Sequence, residues 1–363
     1  MLMVSSKAEI MVAPVGAEGF DAVAAAAHQA HGFLRWAWFE AAAPGRMRAV
    51  AVHRPGGEPI AAIPFLPGGR FSPARIPGSY WPYRSFPVAA DATAAELAAM
   101  LAHPGLRSAL GKVWRLGPVF ADDPTAARLI EAAPAGGWTA LVRFLGTCFE
   151  IDPATLQPKG ATLRKNRARE RALEEIGPVE WRSFSGEEWT AVDRDAIAAV
   201  EANSWLAGLG GGADTKFLDP ERRRTWERAA ADPALARMLR CSLLTVGGTP
   251  VAFTFGLEVG KVRYQIANNY DARFAKCGPG KLLLYRDFAA AAGRGIARIG
   301  WGAGDPGYKS EMGAVPGPDI LDLLFVRGTA LAAVLRPFWS RMHRPTAQRH
   351  DRPRDQSASP LRR

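Results

Sequence analysis

Apolar residues along this chain fall into two patterns. Some form short β-type runs closed off by glycine or proline, and others form longer alanine- and leucine-rich stretches with helical spacing. Residues 17–43 read as helical: Phe20 to His31 is rich in alanine, and an aromatic patch follows at Phe33, Leu34, Trp36, Trp38 and Phe39. Met47–Arg54 and Pro59–Pro67 flank a Pro-Gly-Gly turn and predict a hairpin. A helix over Ala92–Leu110, a strand over Lys112–Leu116, a helix over Thr125–Ala133 and a strand over Trp138–Glu150 complete the first 150 residues. Thr162–Ile176 predicts a helix with Thr162 as N-cap and Gly177-Pro178 as stop. A strand at Val179–Phe184 and a helix over Glu187–Leu206 follow, then a glycine stretch at Gly208–Gly212 that reads as a mobile loop or lid, and a charged helix at Pro220–Ala231. Arg240–Val246, Pro250–Val259 and Lys261–Asn268 are separated only by glycine turns, which predicts an antiparallel meander. The last predicted elements are a helix at Lys281–Ala292, strands at Ala297–Gly300 and Ile320–Val326, and a helix at Thr329–Met342.

Composition bounds the function. Of 363 residues, 48% are hydrophobic and 22% charged, enough to bury two cores of ordinary size. The three cysteines, Cys148, Cys241 and Cys277, share no disulfide or metal spacing, which fits a reducing compartment. His28 and His31 lie close together but lack an acidic or cysteine partner, so no metal site is expected. The opening MLMVSSKAEIMVAPVG has neither the basic end nor the long apolar run of a secretion signal, and no segment approaches the roughly 20 apolar residues that span a bilayer. A soluble, cytoplasmic protein is expected. The net charge of +11 favours anionic partners. Part of it resides in the tail 344–363, where six arginines face two aspartates and disorder is expected. No recognition-helix or zinc-finger pattern points to DNA.

The chemistry concentrates between Tyr270 and Lys309. The turn Cys277-Gly278-Pro279-Gly280 immediately precedes an apolar helix. A helix start presents unpaired N–H groups and partial positive charge, and glycines there let a phosphate approach the backbone. One helix and one strand later come Asp305, Tyr308 and Lys309, among Gly302, Gly304 and Gly307. A phosphate cradle so close to an ionisable cluster reads as an active site. Two other stretches have open readings. The helix TLRKNRARERALEEI carries five basic residues between Arg164 and Arg171, either a solvated face balanced by Glu170, Glu174 and Glu175 or a docking surface for phosphate. The aromatics Tyr80, Trp81, Tyr83 and Phe86 either cover a sheet end or line a groove.

The order of elements in the C-terminal half resembles the GNAT acyltransferase fold. More narrowly, YDxxFxxxGPGxLLL followed by GxGDxxYK is similar to the tandem-GNAT acetyltransferases of the CelD type, found with bacterial cellulose and exopolysaccharide biosynthesis and related to the FemAB peptidyltransferases. The basic helix and the segment EANSW, residues 201–205, fit as well. The resemblance implies a mixed α+β fold of tandem GNAT-like domains, each a mostly antiparallel twisted sheet flanked by helices. It divides the chain into a degenerate N-terminal domain (1–150), a C-terminal acyltransferase domain (151–343) and the basic tail (344–363). The family's phosphate motif carries Gln or Arg three residues before its first glycine; here Ala275 stands there, with Arg273 and Lys276 nearby.

The resemblance also implies roles. Gly278, Gly280 and Lys281 would hold the pyrophosphate of acetyl-CoA, the expected cosubstrate. The strand ending at Asn268 would offer a backbone N–H to the thioester oxygen, where the sheet splays. For a base, Asp305 comes first and Glu201 second; the alternative readings are a loop cap and a solvated helix position. Tyr308 is the expected acid for the thiolate, or else an aromatic packed on the sheet end. Lys309 would hold a substrate anion or pair with Asp305. The expected reaction is N- or O-acylation of a polysaccharide-related or small amine or hydroxyl acceptor. Two rivals remain: a FemAB-like transferase that draws on aminoacyl-tRNA, and a non-catalytic module in exopolysaccharide assembly.

Overall fold

The computed structural model describes residues 9–341 except 70–71, 79–82, 157 and 209–214. The tail, the glycine stretch from residue 209, and Tyr80 and Trp81 lie outside the described residues. The N-terminal half runs β1 (Met11–Pro14), α1 (Ala17–Ala26), α2 (Trp36–Ala42), β2 (Arg48–His53), β3 (Pro59–Phe65), β4 (Ala74–Arg75), α3 (Ala94–Ala102), α4 (Pro104–Leu110), β5 (Val113–Phe120), α5 (Ala126–Ala132) and β6 (Trp138–Ile151). The C-terminal half runs α6 (Gly160–Glu174), β7 (Val179–Ser185), α7 (Ala191–Ala202), α8 (Pro220–Ala230), α9 (Pro233–Met238), β8 (Leu239–Val246), β9 (Thr249–Val259), β10 (Val262–Tyr270), α10 (Pro279–Gly293), β11 (Arg298–Ala303), α11 (Tyr308–Glu311), β12 (Val315–Arg327) and α12 (Thr329–Arg341).

The fold is mixed α+β, as expected. Strands β1–β3 form an antiparallel sheet, and β4-β5-β12-β6-β11-β10-β9-β8-β7 form a second. Leu66 and Arg75 exchange main-chain hydrogen bonds of 2.9 and 3.1 Å, which join the two. The division expected after residue 150 falls at the end of β6, yet β12 from the C-terminal half lies between β5 and β6. Both halves therefore build the same sheet. Among the described residues two strand pairs are parallel, β4 with β5 and β10 with β11.

Local chemistry explains the helix borders. The predicted helix over 92–110 breaks into α3 and α4 at His103-Pro104, because proline disfavours helical geometry in the residue before it. α3 starts on a capping box between Thr93 and Glu96, and α7 on one between Thr190 and Asp193. α6 begins earlier than the sequence indicates, with Lys159 as N-cap in place of Thr162. Asp219-Pro220 and Asp232-Pro233 start α8 and α9 with an aspartate cap and proline in the first turn.

Alternation along the strands splits the core between the two faces of the sheet. On β12, Leu323 and Phe325 join the largest cluster, beneath α1, α2, α7 and α8, whereas Leu324 and Val326 pack with Trp339 of α12. Further along the α12 side, α10 covers β11 through Leu284, Phe288, Ile299 and Trp301. α6 and α10 cover β8 and β9 through Leu173, Leu282, Leu283, Leu244 and Val251.

A candidate acyl-transfer site at a split in the sheet

β10 pairs with β11 only through Val262–Tyr264, against Arg298–Gly300. Beyond Tyr264 it stays paired with β9 as far as Tyr270, after a bulge between Gln265 and Ala267. β11 shifts its register on β6 between Gly300 and Ala303. The two strands therefore part, leaving an unpaired edge of β10 that offers main-chain donors to a ligand. The sequence placed the splay at Asn268-Asn269; the structure starts it four residues earlier, because the bulge turns β10 away first.

α10 begins at the mouth of this split. An added Cβ on Gly280 would meet the Tyr270 ring at 2.9 Å, so the first turn of the helix sits directly on the end of β10. Gly278 adopts a left-handed conformation, φ +62°, and a Cβ there would meet Arg169 Nε at 2.9 Å. Pro279 has no N–H and the Leu282 amide is taken by the Gly278 carbonyl at 3.3 Å, which leaves the Gly280 and Lys281 amides as the free donors of this turn. Arg169 lies against the same turn, half-buried and held by Asn166 Oδ1 at 2.6 Å, while Arg164, Lys165, Arg167 and Arg171 point to solvent. The solvated face considered for the basic helix therefore holds for those four residues, while Arg169 lies apart from it at the turn. Arg169 brings to the turn the positive charge that Ala275 does not supply. Glycines at the two close approaches, two amides and one guanidinium fit a diphosphate.

A polar cluster closes the split from the β11 side. Trp301 Nε1 donates to Asn268 Oδ1 at 3.3 Å, so side chains link the strands where the backbones have separated. Trp301 packs edge-on against Phe288 at 4.9 Å and Tyr308 at 5.4 Å, which ties α10, β11 and α11 together. Burial raises the Tyr308 phenol, and the nearby Asp305 charge adds to this against the hydrogen bonding of Asn268. Tyr308 therefore stays protonated through the physiological range. Lys281 pairs with Glu311 of α11, joining cradle and cluster.

Asp305 lies in this cluster, but its oxygens accept the main-chain N–H groups of Gly307 (2.7 Å), Lys309 (3.1 Å) and Ser310 (3.2 Å). Burial would raise its carboxyl, but these donors and the Ser310 hydroxyl outweigh that and leave it lowered. The arrangement caps the turn that carries Tyr308. Lys309 is buried, and its Nζ donates to the carbonyls of Gly302 (3.1 Å), Ala303 (3.3 Å) and Gly304 (2.7 Å). Burial lowers its ammonium to about 8. It thus stitches the loop after β11, and its contact with Asp305 is through its main chain, not the side-chain pairing considered from the sequence. Burial likewise pushes the neighbouring Cys148 thiol up to about 11.

Among the described residues, no hydrogen bond brings Glu201 into this cluster. The solvated helix position considered for it is incorrect: the side chain is fully buried and accepts the N–H groups of Lys216, Phe217 and Leu218 at 2.7–2.8 Å. It holds the segment that returns after α7. Close by, the Asn203 carbonyl accepts the Ala272 N–H at 2.9 Å, which supports the turn ahead of the cradle from behind.

The sequence reading missed the anchor beneath α10. Asp287 is fully buried and receives Ser242 Oγ at 2.7 Å, Thr254 Oγ1 at 2.8 Å and the guanidinium of fully buried Arg263 at 2.7 and 3.0 Å. Helix α10 is thereby fixed to β8, β9 and β10 at once. The available signal was a lone aspartate inside the run LLLYRDFAAAA, residues 282–292.

Comparison with known proteins bears on the family and the fold. Residues 161–310 match the model of the acetyltransferase (GNAT) domain family. The sequence has no match among curated proteins. Among solved structures, FemX superposes with a TM-score of 0.60 at 12% identity, covering 90% of this chain and 100% of that one. L-PGS from Bacillus licheniformis gives 0.52 at 14%, covering 90% and 96%, and a conserved protein of unknown function from Bacteroides thetaiotaomicron gives 0.53 at 13%, covering 88% and 100%. At such identities these likenesses concern the fold. The split between β10 and β11, the cradle before α10 and the family match all lie within one segment, and it is over residues 161–310 that this chain is similar to the acetyltransferase (GNAT) domain family.

Proposed function

We propose that this protein transfers an acyl group, acetyl in the first instance, from its CoA thioester to an amine or hydroxyl acceptor. The observation that carries the reading is the placing of the Gly278–Lys281 turn and Arg169 at the mouth of the β10–β11 split, with Asn268, Trp301 and Tyr308 inside it. Acyl-CoA supplies an activated carbonyl and a thiolate leaving group. Gly280 and Lys281 amides and Arg169 hold the diphosphate. The unpaired edge of β10 presents a main-chain donor to the carbonyl oxygen as charge develops there. As the acceptor nitrogen or oxygen bonds to the carbonyl carbon and the C–S bond breaks, Tyr308, protonated at neutral pH, gives its proton to the departing sulfur, and the proton released by the acceptor returns to the Tyr308 oxygen through solvent. Asp305 is a positioning residue that caps the turn bearing Tyr308, and Lys309 secures the strand end behind it. Glu201 steadies the wall formed by α7 and its return segment.

The acceptor is a hydroxyl or amine of a glycan or of a small molecule, in line with the resemblance to the CelD type. The exposed stripe Arg164, Lys165, Arg167 and Arg171 favours one second reading, an aminoacyl-tRNA donor. Thermal stabilisation separates the two, because a ligand that binds the native state raises its stability. Acetyl-CoA and CoA are expected to raise the melting temperature, and less so for Arg169→Gln. Stabilisation by tRNA that fades steeply with salt, with none from CoA, would support the second reading and refute the first.

A further inference from the structure

We propose that the α12 side of the N-terminal half binds an anionic amphiphile, with its charged head on a cluster of arginines and its apolar part in an adjoining cavity. This site is separate from the β10–β11 split and does not rest on the transferase reading. Arg75 and Arg115 are direct neighbours on the parallel strands β4 and β5. Arg115 Nε donates to Asp322 Oδ1 at 2.8 Å, and Arg143 from β6 pairs with the other oxygen of this fully buried carboxylate. Arg84 joins them: its main-chain N–H reaches the Pro118 carbonyl at 3.3 Å, and its Nε is buried without a hydrogen-bond partner among the described residues. The charges that act on its guanidinium are Arg115 and Arg75, which repel it, and Asp322, which attracts it. Arg115 and Arg143 thus take both oxygens of Asp322, and Arg84 and Arg75 have no carboxylate partner of their own among the described residues. Like charges on neighbouring strands are destabilising, and a buried cation without a full partner is costly. An anionic group placed among them removes both penalties through charge-assisted hydrogen bonds.

The apolar part follows from the surface next to this cluster. A cavity of about 1320 Å³ is lined by Val113, Leu324, Leu331, Leu335, Phe338 and Trp339, among other residues. Leu324 is the cross-strand partner of Arg115, and Val113 lies two residues before Arg115 on the same face of β5, about 7 Å away. The Trp339 ring lines the cavity and also lies under the Arg143 guanidinium at 4.0 Å. The arginine cluster and the apolar wall therefore meet along one edge. A ligand with charge at one end and an alkyl chain at the other satisfies both at once.

The test uses the full chain and three probes: dodecyl phosphate below its micelle concentration, inorganic phosphate, and uncharged dodecyl maltoside, each followed by calorimetry. Dodecyl phosphate is expected to bind about tenfold or more tightly than either of the others, since the two contacts contribute more than about 1.4 kcal/mol each. Arg84→Gln is expected to weaken dodecyl phosphate about tenfold and leave dodecyl maltoside unchanged. Arg75→Gln, at an exposed position, gives the same readout should the half-buried Arg84 variant fail to fold. Equal affinity for dodecyl phosphate and dodecyl maltoside, equal affinity for inorganic phosphate, or full affinity in the arginine variants overturns the proposal. Failure of every probe to bind also overturns it.

Discussion

The pair Arg263–Asp287 offers the sharpest test of how the cradle is held. Replacing Arg263 with Met keeps most of the side-chain volume and removes the guanidinium. Asp287 then retains the hydroxyl donors of Ser242 and Thr254 but loses its countercharge in a site with no solvent exposure. Of the other partners of Arg263, Glu258 still has Arg240 and Arg294 and Gln265 loses only a neutral hydrogen bond, so the cost concentrates on Asp287. Breaking a buried pair from one side costs roughly 3–5 kcal/mol, a large share of a typical stability of about 5–15 kcal/mol. Equilibrium urea unfolding is the assay. A second variant, Arg263→Met with Asp287→Asn, removes the stranded charge while leaving an oxygen that accepts from one hydroxyl and an NH2 that donates to the other, and is expected to recover at least about 2 kcal/mol of the loss. Because α10 carries the Gly278–Lys281 turn, Arg263→Met is also expected to weaken acetyl-CoA binding, although neither residue lies in the cradle. A loss below about 1 kcal/mol, or a double variant as unstable as the single one, would refute the reasoning.

Four further outcomes are expected. Tyr308→Phe lowers kcat about a hundredfold with KM nearly unchanged, as for loss of a general acid; a fall of only a few-fold in steady-state turnover removes Tyr308 from the reaction. Arg169→Gln weakens acetyl-CoA about tenfold in calorimetry while urea stability moves by less than about 0.5 kcal/mol; unchanged affinity would show that Arg169 does not face the diphosphate. Asp305→Ala, which removes the cap of α11, speeds hydrogen exchange across residues 305–312; unchanged exchange there would contradict the capping role. The Arg54 hydrogen bond lowers the Glu96 carboxyl from 4.5 to about 2. Its contribution to stability is therefore present above pH 4.5 and is lost as pH falls toward 2, so Glu96→Gln should flatten the stability profile in that window.

The legible and illegible parts of this chain differ in the range of the interactions behind them. The meander β8–β10, the Gly278-Pro279-Gly280 turn and α10 are written in consecutive residues, where glycine and proline mark the turns and apolar runs fill the strands. Strand order depends on partners far apart in sequence. Nothing near Val315–Arg327 indicates that this strand inserts between β5 and β6, about two hundred residues upstream of it in the case of β5. β1, β4, α9 and α11 were missed because each has six residues or fewer, too short to establish a period. The contacts of polar side chains were illegible for a related reason. Glu201, Asp305 and Lys309 resemble catalytic groups as letters, but their partners are main-chain groups that appear only once the loops are folded.

Ala275 shows the same limit from the other direction. A motif read along the chain registers a missing cation three residues before Gly278. In space, the charge arrives from Arg169, more than one hundred residues earlier, because α6 packs against the turn: Cys277 Sγ meets the Ala172 carbonyl at 3.8 Å, and Arg286 of α10 pairs with Glu170. What a diphosphate requires is positive charge beside free amides, not a particular position in the motif. If that reasoning is right, restoring the family residue with Ala275→Arg should rescue acetyl-CoA affinity in Arg169→Gln while adding little to the parent protein. An equal gain in both backgrounds would mean that the two positions serve different parts of the ligand, and that Arg169 does not replace the missing side chain.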